Sequence, residues 1–383
     1  MKICHLSLSP VLTDIRVMRQ VDCLREAGHV VDVVGYGAGV DERPMTAAER
    51  VRRAAMQMPA WILPIAASTR LAAAIPDLQQ MWTAVRGRKF DVVQAHDAEA
   101  LLVAARLARQ CGAKLIYDSH EFGQGARLES LTWRLAFPAF IRAIERHCLP
   151  QADQVITVSD YLAAALQRSY GLPETPTVIR NVPSYQTIQR QPPTSGRLLL
   201  HYHGILNSGR GLEMVLEALA LLPEHFHLRL TGPVRQPGYD AELQRLAARL
   251  GITPRVTFHK AVPVNQLIAH ASQADIGIFV TEGKTTQELS ALPNKMFEYA
   301  MAGLAVIGGP APDILKFIAD HDLGIAMPAP TPENLADELR GMTPAALHAW
   351  QTNSLLSART NNWEAEKRKL LSIYDHVVSQ DCP

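Results

Sequence analysis

Lys295 and Glu298 stand three residues apart in the segment PNKMFEYAMAGLAVIGG, positions 293–309. Pro293 can open a helix there, because the N–H it lacks would find no partner in a first turn. The unpaired N–H groups of that turn, Asn294 and Lys295 among its residues, point outward with the positive end of the helix dipole behind them. Lys295 adds a full charge at the same place. Glu298, about one turn further on, lies near the same face as an acceptor suited to paired hydroxyls. Gly303 ends the helix, and Leu304-Ala305-Val306-Ile307 is the short apolar run of a buried parallel strand. An anion seat beside a carboxylate that can grip a ribose describes a site for a nucleotide sugar.

A second group of chemical residues lies in HYHGILNSGRGLEMVLEAL, positions 201–219. Gly204 ends a strand and lets a ligand approach the backbone, with Asn207 in the loop that follows. Arg210-Gly211 opens the next helix, where a guanidinium can hold diphosphate oxygens through two parallel hydrogen bonds. His201 and His203 alternate on the strand, a pattern expected of packing more than of ligation.

The N-terminal half offers three strand-end loops. In YDSHEF (117–122), a neutral imidazole at His120 could hydrogen-bond a sugar hydroxyl or a departing phosphate. Glu121 would orient it or cap the next segment. In QAHDAE (94–99), His96 and Asp97 end another strand, and Asp97 would also serve as the N-cap of a helix over 98–110. In SPVLTDIRVMRQ (9–20), Asp14 could cap a helix while Arg16 faces acceptor or phosphate. GYGAG (35–39) lacks the G-x-G-x-x-G spacing of a dinucleotide fingerprint and reads as a turn. The sequence has no D-x-D, and no His/Cys cluster shows metal-ligand spacing, so no metal is expected.

The segment 293–309 resembles the donor-site helix of the retaining glycosyltransferases of family 4, the large GT-B group. ALPNKMFEY at 291–299 is similar to a subgroup with an LPNK-FEY version of the motif. The resemblance implies that Glu298 holds the ribose hydroxyls of a sugar nucleotide. The family's further Glu, eight positions earlier, is Ser290 here; Glu282 or Glu288 are the stand-ins nearby. The loop 201–219 resembles the family's G-x-L…K/R-G loop, with Ile205 where many members carry a second cation, a role then left to Lys295. His120 matches the family's donor-sugar histidine, and His96 and Asp97 resemble its H-a-H-D loop on the acceptor side. Asp14 and Arg16 replace a Gly-Gly pair that many members have, as in the same subgroup. The implied catalytic set is His120, Arg210 and Lys295. The implied donor set is Gly204, Asn207, Arg210, Gly211, Asn294, Lys295 and Glu298. Protein cations rather than a metal would stabilise the leaving diphosphate. The acceptor hydroxyl would attack from the face the diphosphate leaves. No cofactor is implied beyond a UDP- or GDP-sugar substrate.

The surrounding elements suit that reading. Short apolar strands alternate with amphipathic stretches from KICHLSL (2–8) to TVIRNV (177–182), which argues for a Rossmann-like sheet. SYQTIQRQPPTSG (184–196) reads as a linker, and a second βα series begins at LLLHYHG (198–204). The expected architecture is α/β of GT-B type, two Rossmann-like domains facing across a cleft. The boundaries are 1–185 for an acceptor-side domain, 186–360 for the nucleotide-sugar domain, and 361–383 for a helix crossing back and its tail.

With 383 residues the chain is comfortable for two domains. Its 38 basic against 37 acidic residues give no reason to expect nucleic acid. Five scattered cysteines without a C-x-x-C read as reduced thiols in a cytoplasmic protein. The N-terminus is not patterned as a signal peptide, and no apolar run is long enough to span a bilayer. Region 44–90, with Trp61, Trp82 and several arginines, could dock on an anionic membrane carrying a lipid-linked acceptor. Helices packing on the domain with solvated arginines are the simpler reading. The function expected is transfer of a sugar to a glycan or lipid-linked acceptor, in surface polysaccharide biosynthesis. A nucleotide-sugar epimerase on the same fold and a two-domain ligand-binding protein are the alternatives.

Overall fold

The computed structural model describes residues 1–41, 75–120, 131–190 and 196–379. The chain forms two compact units, Met1–Arg180 with Lys367–Pro383, and Asn181–Glu366.

The first unit is built on a seven-stranded sheet. Its strands are β1 (Lys2–Pro10), β2 (Val30–Tyr36), β3 (Gly39–Val40), β4 (Val92–His96), β5 (Lys114–Ser119), β6 (Gln154–Thr157) and β7 (Thr177–Val178). They pair in the order β3-β2-β1-β4-β5-β6-β7, all parallel. Among the described residues five helices accompany them: α1 (Ile15–Glu26), α2 (Pro76–Val85), α3 (Asp97–Cys111), α4 (Leu131–Cys148) and α5 (Asp160–Tyr170). β4 (VVQAH) is buried at all of its five positions, as befits a central parallel strand covered on both faces. β7 is shorter than the strand expected over 177–182. The carbonyl of Ile179 is taken by the Arg16 guanidinium at 2.8 Å and is withdrawn from any ladder.

The second unit carries a six-stranded parallel sheet. Its strands are β8 (Leu198–His203), β9 (Phe226–Thr231), β10 (Val256–His259), β11 (Ile276–Val280), β12 (Ala305–Gly309) and β13 (Gly324–Ala326). The order is β10-β9-β8-β11-β12-β13. Its helices are α6 (Leu212–Leu221), α7 (Tyr239–Arg249), α8 (Val264–Ala271), α9 (Thr286–Leu289), α10 (Asn294–Met301), α11 (Pro312–His321), α12 (Pro332–Gly341) and α13 (Pro344–Ala358). β13, α8 and α11 have no counterpart in the sequence reading; β13 is only Gly-Ile-Ala, too short to show a period.

The stretch 331–380, whose sequence reads as helical throughout, is broken into three helices. Thr331 caps α12 in a capping box with Asn334, and Thr343 caps α13 through the Ala346 N–H. Each cap is followed by a proline at the first helical position, where it costs no hydrogen bond. The last helix, α14 (Trp363–Ser379), begins in the second unit, and from Lys367 onward it belongs to the first. Leu370, Tyr374 and Val377, spaced three and four apart, are its buried stripe.

Both sheets reverse strand order once, between β1 and β4 and between β8 and β11. The helices that follow adjacent strands go to opposite faces at such a point, which leaves a crevice beyond the strands' carboxyl ends.

Of region 44–90, residues 44–74 lie outside those described. The remainder contains α2, which buries Leu78, Met81 and Val85. Its Trp82 lies under the Arg106 guanidinium, 3.7 Å from the ring centre. No described helix is long and apolar enough to cross a membrane.

Candidate functional site

The reversal between β8 and β11 is where the second unit's chemical residues gather. β8 ends at His203, and the chain turns at Gly204 in a conformation of φ +125°. Lys295, in the first turn of α10, brings its amine to that turn. A Cβ built on Gly204 would lie 3.2 Å from Nζ. The same amine sits over two ring faces, 4.2 Å from the centre of Tyr202 and 4.4 Å from that of Phe279. These rings attract a cation but cannot solvate it as water does. Burial therefore pulls the Lys295 pKa down, the nearby Arg210 lowers it further and Glu298 only partly compensates, leaving it at about 7.

Arg210 is exposed and has no ion-pair partner among the described residues. Gly211 follows as the N-cap of α6 at φ +70°, and a Cβ on it would meet the Val280 carbonyl oxygen at 1.8 Å. The contact explains the glycine: the start of α6 is pressed onto the end of β11. No side chain caps either α6 or α10, so the first-turn N–H groups of both helices are left to backbone, water or ligand. Asn294 opens α10 directly after Pro293, which is the cap rather than the first helical residue. Asn207 bonds the neighbouring Ser208 carbonyl at 3.2 Å. Of the stand-ins for Ser290, Glu282 pairs with Lys284, and Glu288 accepts from the Lys284 N–H at 2.8 Å. Both are thus engaged within their own loop.

Glu298 has a partner that sequence spacing did not reveal. His203 Nε2 lies 2.7 Å from Glu298 Oε2, and His203 Nδ1 lies 3.3 Å from His201 Nε2. His201 Nδ1 in turn accepts from Arg229 Nε at 3.1 Å. An arginine only donates, so the chain has one sense. His201 must carry its hydrogen on Nε2, give it to His203 Nδ1, and His203 must donate from Nε2 to Glu298. Burial, then His203 and Arg229, hold the His201 pKa well below the ordinary histidine value, consistent with a neutral ring. His201 and His203 do more than pack: they fix the carboxylate that faces the turn. The period of two along β8 was the available signal, since it puts both rings on one face. Tyr299, next to Glu298, lies against Gly277 so closely that a Cβ there would sit 2.2 Å from its ring.

In the first unit, Asp14 caps α1, accepting from the Arg16 and Val17 N–H groups at 3.1 and 3.2 Å. Three expectations fail here. Arg16 does not face acceptor or phosphate. It is buried and binds Asp118 through two hydrogen bonds, Nε at 3.1 Å and Nη2 at 2.7 Å. His96 is fully buried and spends its nitrogens on His5, His120 and Asp118. Asp97 does not cap a helix. It is the first residue of α3, at φ +63°, and its carboxylate accepts from the His120 N–H at 3.3 Å. His120 directly follows β5 with 15% of its side chain exposed, its Nε2 3.1 Å from Asp118 Oδ2. Burial depresses its pKa, but Asp118 and then Asp97 outweigh that and raise it. Glu121 lies outside the described residues. His96, Asp118 and His120 place ligand atoms within 4.8 Å of one another, close enough for an ion. The Asp118 oxygen concerned already receives hydrogens from Arg16 and Gln20, which leaves little for a metal.

Residues 14–182 match the model of the Glycosyl transferase 4-like domain. Residues 197–343 match that of Glycosyl transferases group 1. No curated protein matches the sequence significantly. Among solved structures, a sucrose-phosphate synthase from Thermosynechococcus elongatus superposes with a TM-score of 0.74 at 17% identity, covering 100% of both chains. HepE of Anabaena, crystallised with UDP, gives 0.70 at 15% identity over 98% of this chain and 100% of its own. WaaG, a glycosyltransferase involved in lipopolysaccharide biosynthesis, gives 0.63 at 20% identity over 97% and 98%.

Proposed function

We propose that this chain, which belongs to the glycosyltransferases of the GT-B fold, takes a sugar from a UDP- or GDP-sugar and passes it, with retention, to a glycan or lipid-linked acceptor. The observation that carries the donor assignment is the pairing at the β8–β11 reversal: a buried amine, Lys295, and a carboxylate, Glu298, held by His203. In this reading the diphosphate lies on Lys295, Arg210 and the first turns of α6 and α10. Glu298 accepts from the ribose hydroxyls. Gly204, Asn207, Gly211 and Asn294 supply backbone and side-chain surface around it. That HepE was crystallised with UDP and with UDP-glucose supports a uridine donor first.

Lys295 and Arg210 meet charge that grows as the diphosphate leaves, and a pre-placed cation in a dry site is worth most at that moment. His120, in the first unit, is assigned to the donor sugar by the family resemblance. Asp97, exposed beside it, remains the acceptor-side candidate, whereas Arg16 and His96 act from inside the fold. Surface polysaccharide assembly, with the chain on the cytoplasmic side of the membrane, is the setting we favour.

The test is thermal stabilisation by a panel of UDP-, GDP-, ADP- and TDP-sugars, with NAD and free sugars as controls. A ligand that binds only the folded chain raises its melting temperature. Stabilisation by one nucleotide family is expected. Stabilisation by NAD alone, or by nothing in the panel, would sink the reading.

A further inference from the structure

His5, Gln20, Gln94, His96, Asp118 and Tyr374 are each no more than 1% exposed, and they come from five different elements of the first unit. With His120 they form a closed circuit. Gln20 Nε2 lies 2.7 Å from Asp118 Oδ2, and Gln94 Nε2 lies 2.7 Å from Gln20 Oε1. The Tyr374 hydroxyl bonds Gln94 Oε1 and stands 3.1 Å from His5 Nε2. His5 Nδ1 is 2.8 Å from His96 Nε2, and His96 Nδ1 is 3.2 Å from His120 Nε2. His120 Nε2 returns to Asp118 Oδ2 at 3.1 Å.

One sense gives a partner to every hydrogen between Gln20 and His96. Arg16 donates to Asp118 twice, which keeps the carboxylate ionised and able only to accept. Gln20 must therefore present its NH₂ to Asp118, and its carbonyl to Gln94. Gln94 must then present its own carbonyl to Tyr374. The single phenolic hydrogen goes to Gln94, so Tyr374 accepts from His5 Nε2–H. His5 Nδ1 is left as an acceptor, and His96 must carry its hydrogen on Nε2. His96 Nδ1 is thus bare where it faces His120, and the His120 Nε2 hydrogen is shared between that nitrogen and Asp118 Oδ2, which lie 3.3 Å apart. Reversing the whole circuit would set the Gln20 carbonyl against the Asp118 carboxylate. Reversing the histidines alone would let His96 Nδ1 donate to Asp118 Oδ2, 3.3 Å away, but would turn the phenolic hydrogen to His5 and leave the Tyr374 oxygen against the Gln94 carbonyl.

We propose that Tyr374, Gln94, His5 and Gln20 are positioning residues that dictate the protonation of His120: through this circuit, its Nε2 always carries a hydrogen turned inward and its Nδ1 is the atom presented outward. The far member, Tyr374, comes from α14, whose residues reach this unit only after the chain has completed the other. The groups facing His120 are Asp118 from β5, His96 from β4, Asp97 from the start of α3 and Arg16 from α1. Burial, with His96 beside it, lowers the pKa of His5; burial lowers that of His96 against the pull of Asp118; at His120 the Asp118 and Asp97 carboxylates outweigh burial and raise it. Asp97 Oδ2, 3.7 Å from His120 Nδ1, is placed to receive or orient that outer hydrogen. The inference extends the assignment of His120 to the donor sugar, but the circuit itself does not depend on that assignment.

The experiment is imidazole nitrogen NMR on the full chain without nucleotide, with His120→Gln supplying the assignment. The wild type is expected to show His5 and His96 as neutral Nε2–H tautomers between pH 6 and about 8, and His120 titrating above the ordinary value near 6.5. In Tyr374→Phe the His120 midpoint should fall by about one pH unit, because His96 is then free to turn a hydrogen toward it. An Nδ1–H tautomer at His96 in the wild type would overturn the proposal whether or not the variant folds. So would an unchanged His120 midpoint in a Tyr374→Phe chain whose melting is cooperative. If the tautomers are as expected while no sugar nucleotide stabilises the protein, the circuit stands and the transferase reading is what fails.

Discussion

At the residue scale, Lys295 is the side chain whose environment contradicts its usual chemistry. A lysine ordinarily titrates near 10.5 and is held here at about 7 by burial and by Arg210. A diphosphate arriving beside it favours the charged form, so binding must draw in a proton wherever the free site is deprotonated. The sign follows. Below pH 7 the amine is already charged and affinity is flat. Above pH 7 affinity for a nucleoside diphosphate should fall, approaching tenfold per pH unit. Calorimetric titration with UDP in buffers of different ionisation enthalpy should show proton uptake near pH 8, and Lys295→Met should remove it. A pH-independent affinity from 7 to about 9 would mean that the diphosphate does not touch the amine.

Legibility at this scale was uneven for a physical reason. Candidate residues at a strand end or a helix start announce themselves by local sequence: Lys295, Arg210 and His120 sit where a turn signal meets a βα boundary, and Glu298 lies one helical turn beyond. Residues that act through a partner far along the chain do not. His203 is 95 positions from Glu298, and Arg16 is 102 from Asp118. Nothing in the spacing of DIR or HYH says that one arginine is spent inside the sheet or that one histidine grips a carboxylate.

At the scale of elements, the β8–β11 reversal of the second unit depends on how tightly α6 approaches β11. Gly211 is the contact, with a positive φ and a virtual Cβ 1.8 Å from the Val280 oxygen. Gly211→Ala combines a strained backbone with a steric clash against main chain, neither of which a rotamer change relieves. It should cost about 2–4 kcal/mol and lower nucleotide affinity, because α6 must move back and take Arg210 with it. Denaturant unfolding monitored together with UDP binding checks both. Full stability and full affinity in the variant would show that α6 does not need this approach. The strands and helices that make this geometry were largely readable, since parallel strands are continuous apolar runs and α6 and α10 have strong start signals. β13 and α11 were not, because three residues carry no period and α11 follows a strand without a polar break.

At the scale of the whole molecule, two parallel sheets each reverse once, and each reversal gathers polar residues at its strand ends. The first unit uses its reversal to hold a hydrogen-bonded circuit around Asp118, closed by a helix that starts in the other unit. The second uses its own to hold a cation and a carboxylate at one turn. Fold alone does not assign chemistry, because the same doubly wound scaffold serves many reactions. The two family matches and the residues at the β8–β11 reversal make the assignment together. The measurement that bears on it most directly is calorimetric titration of UDP and of uridine into the wild type, Glu298→Gln and Lys295→Met at pH 7. The account predicts that Glu298→Gln weakens both ligands by about tenfold, the loss of a charge-assisted acceptor, whereas Lys295→Met weakens UDP and leaves uridine unchanged. Variants that bind both ligands as the wild type does would contradict it.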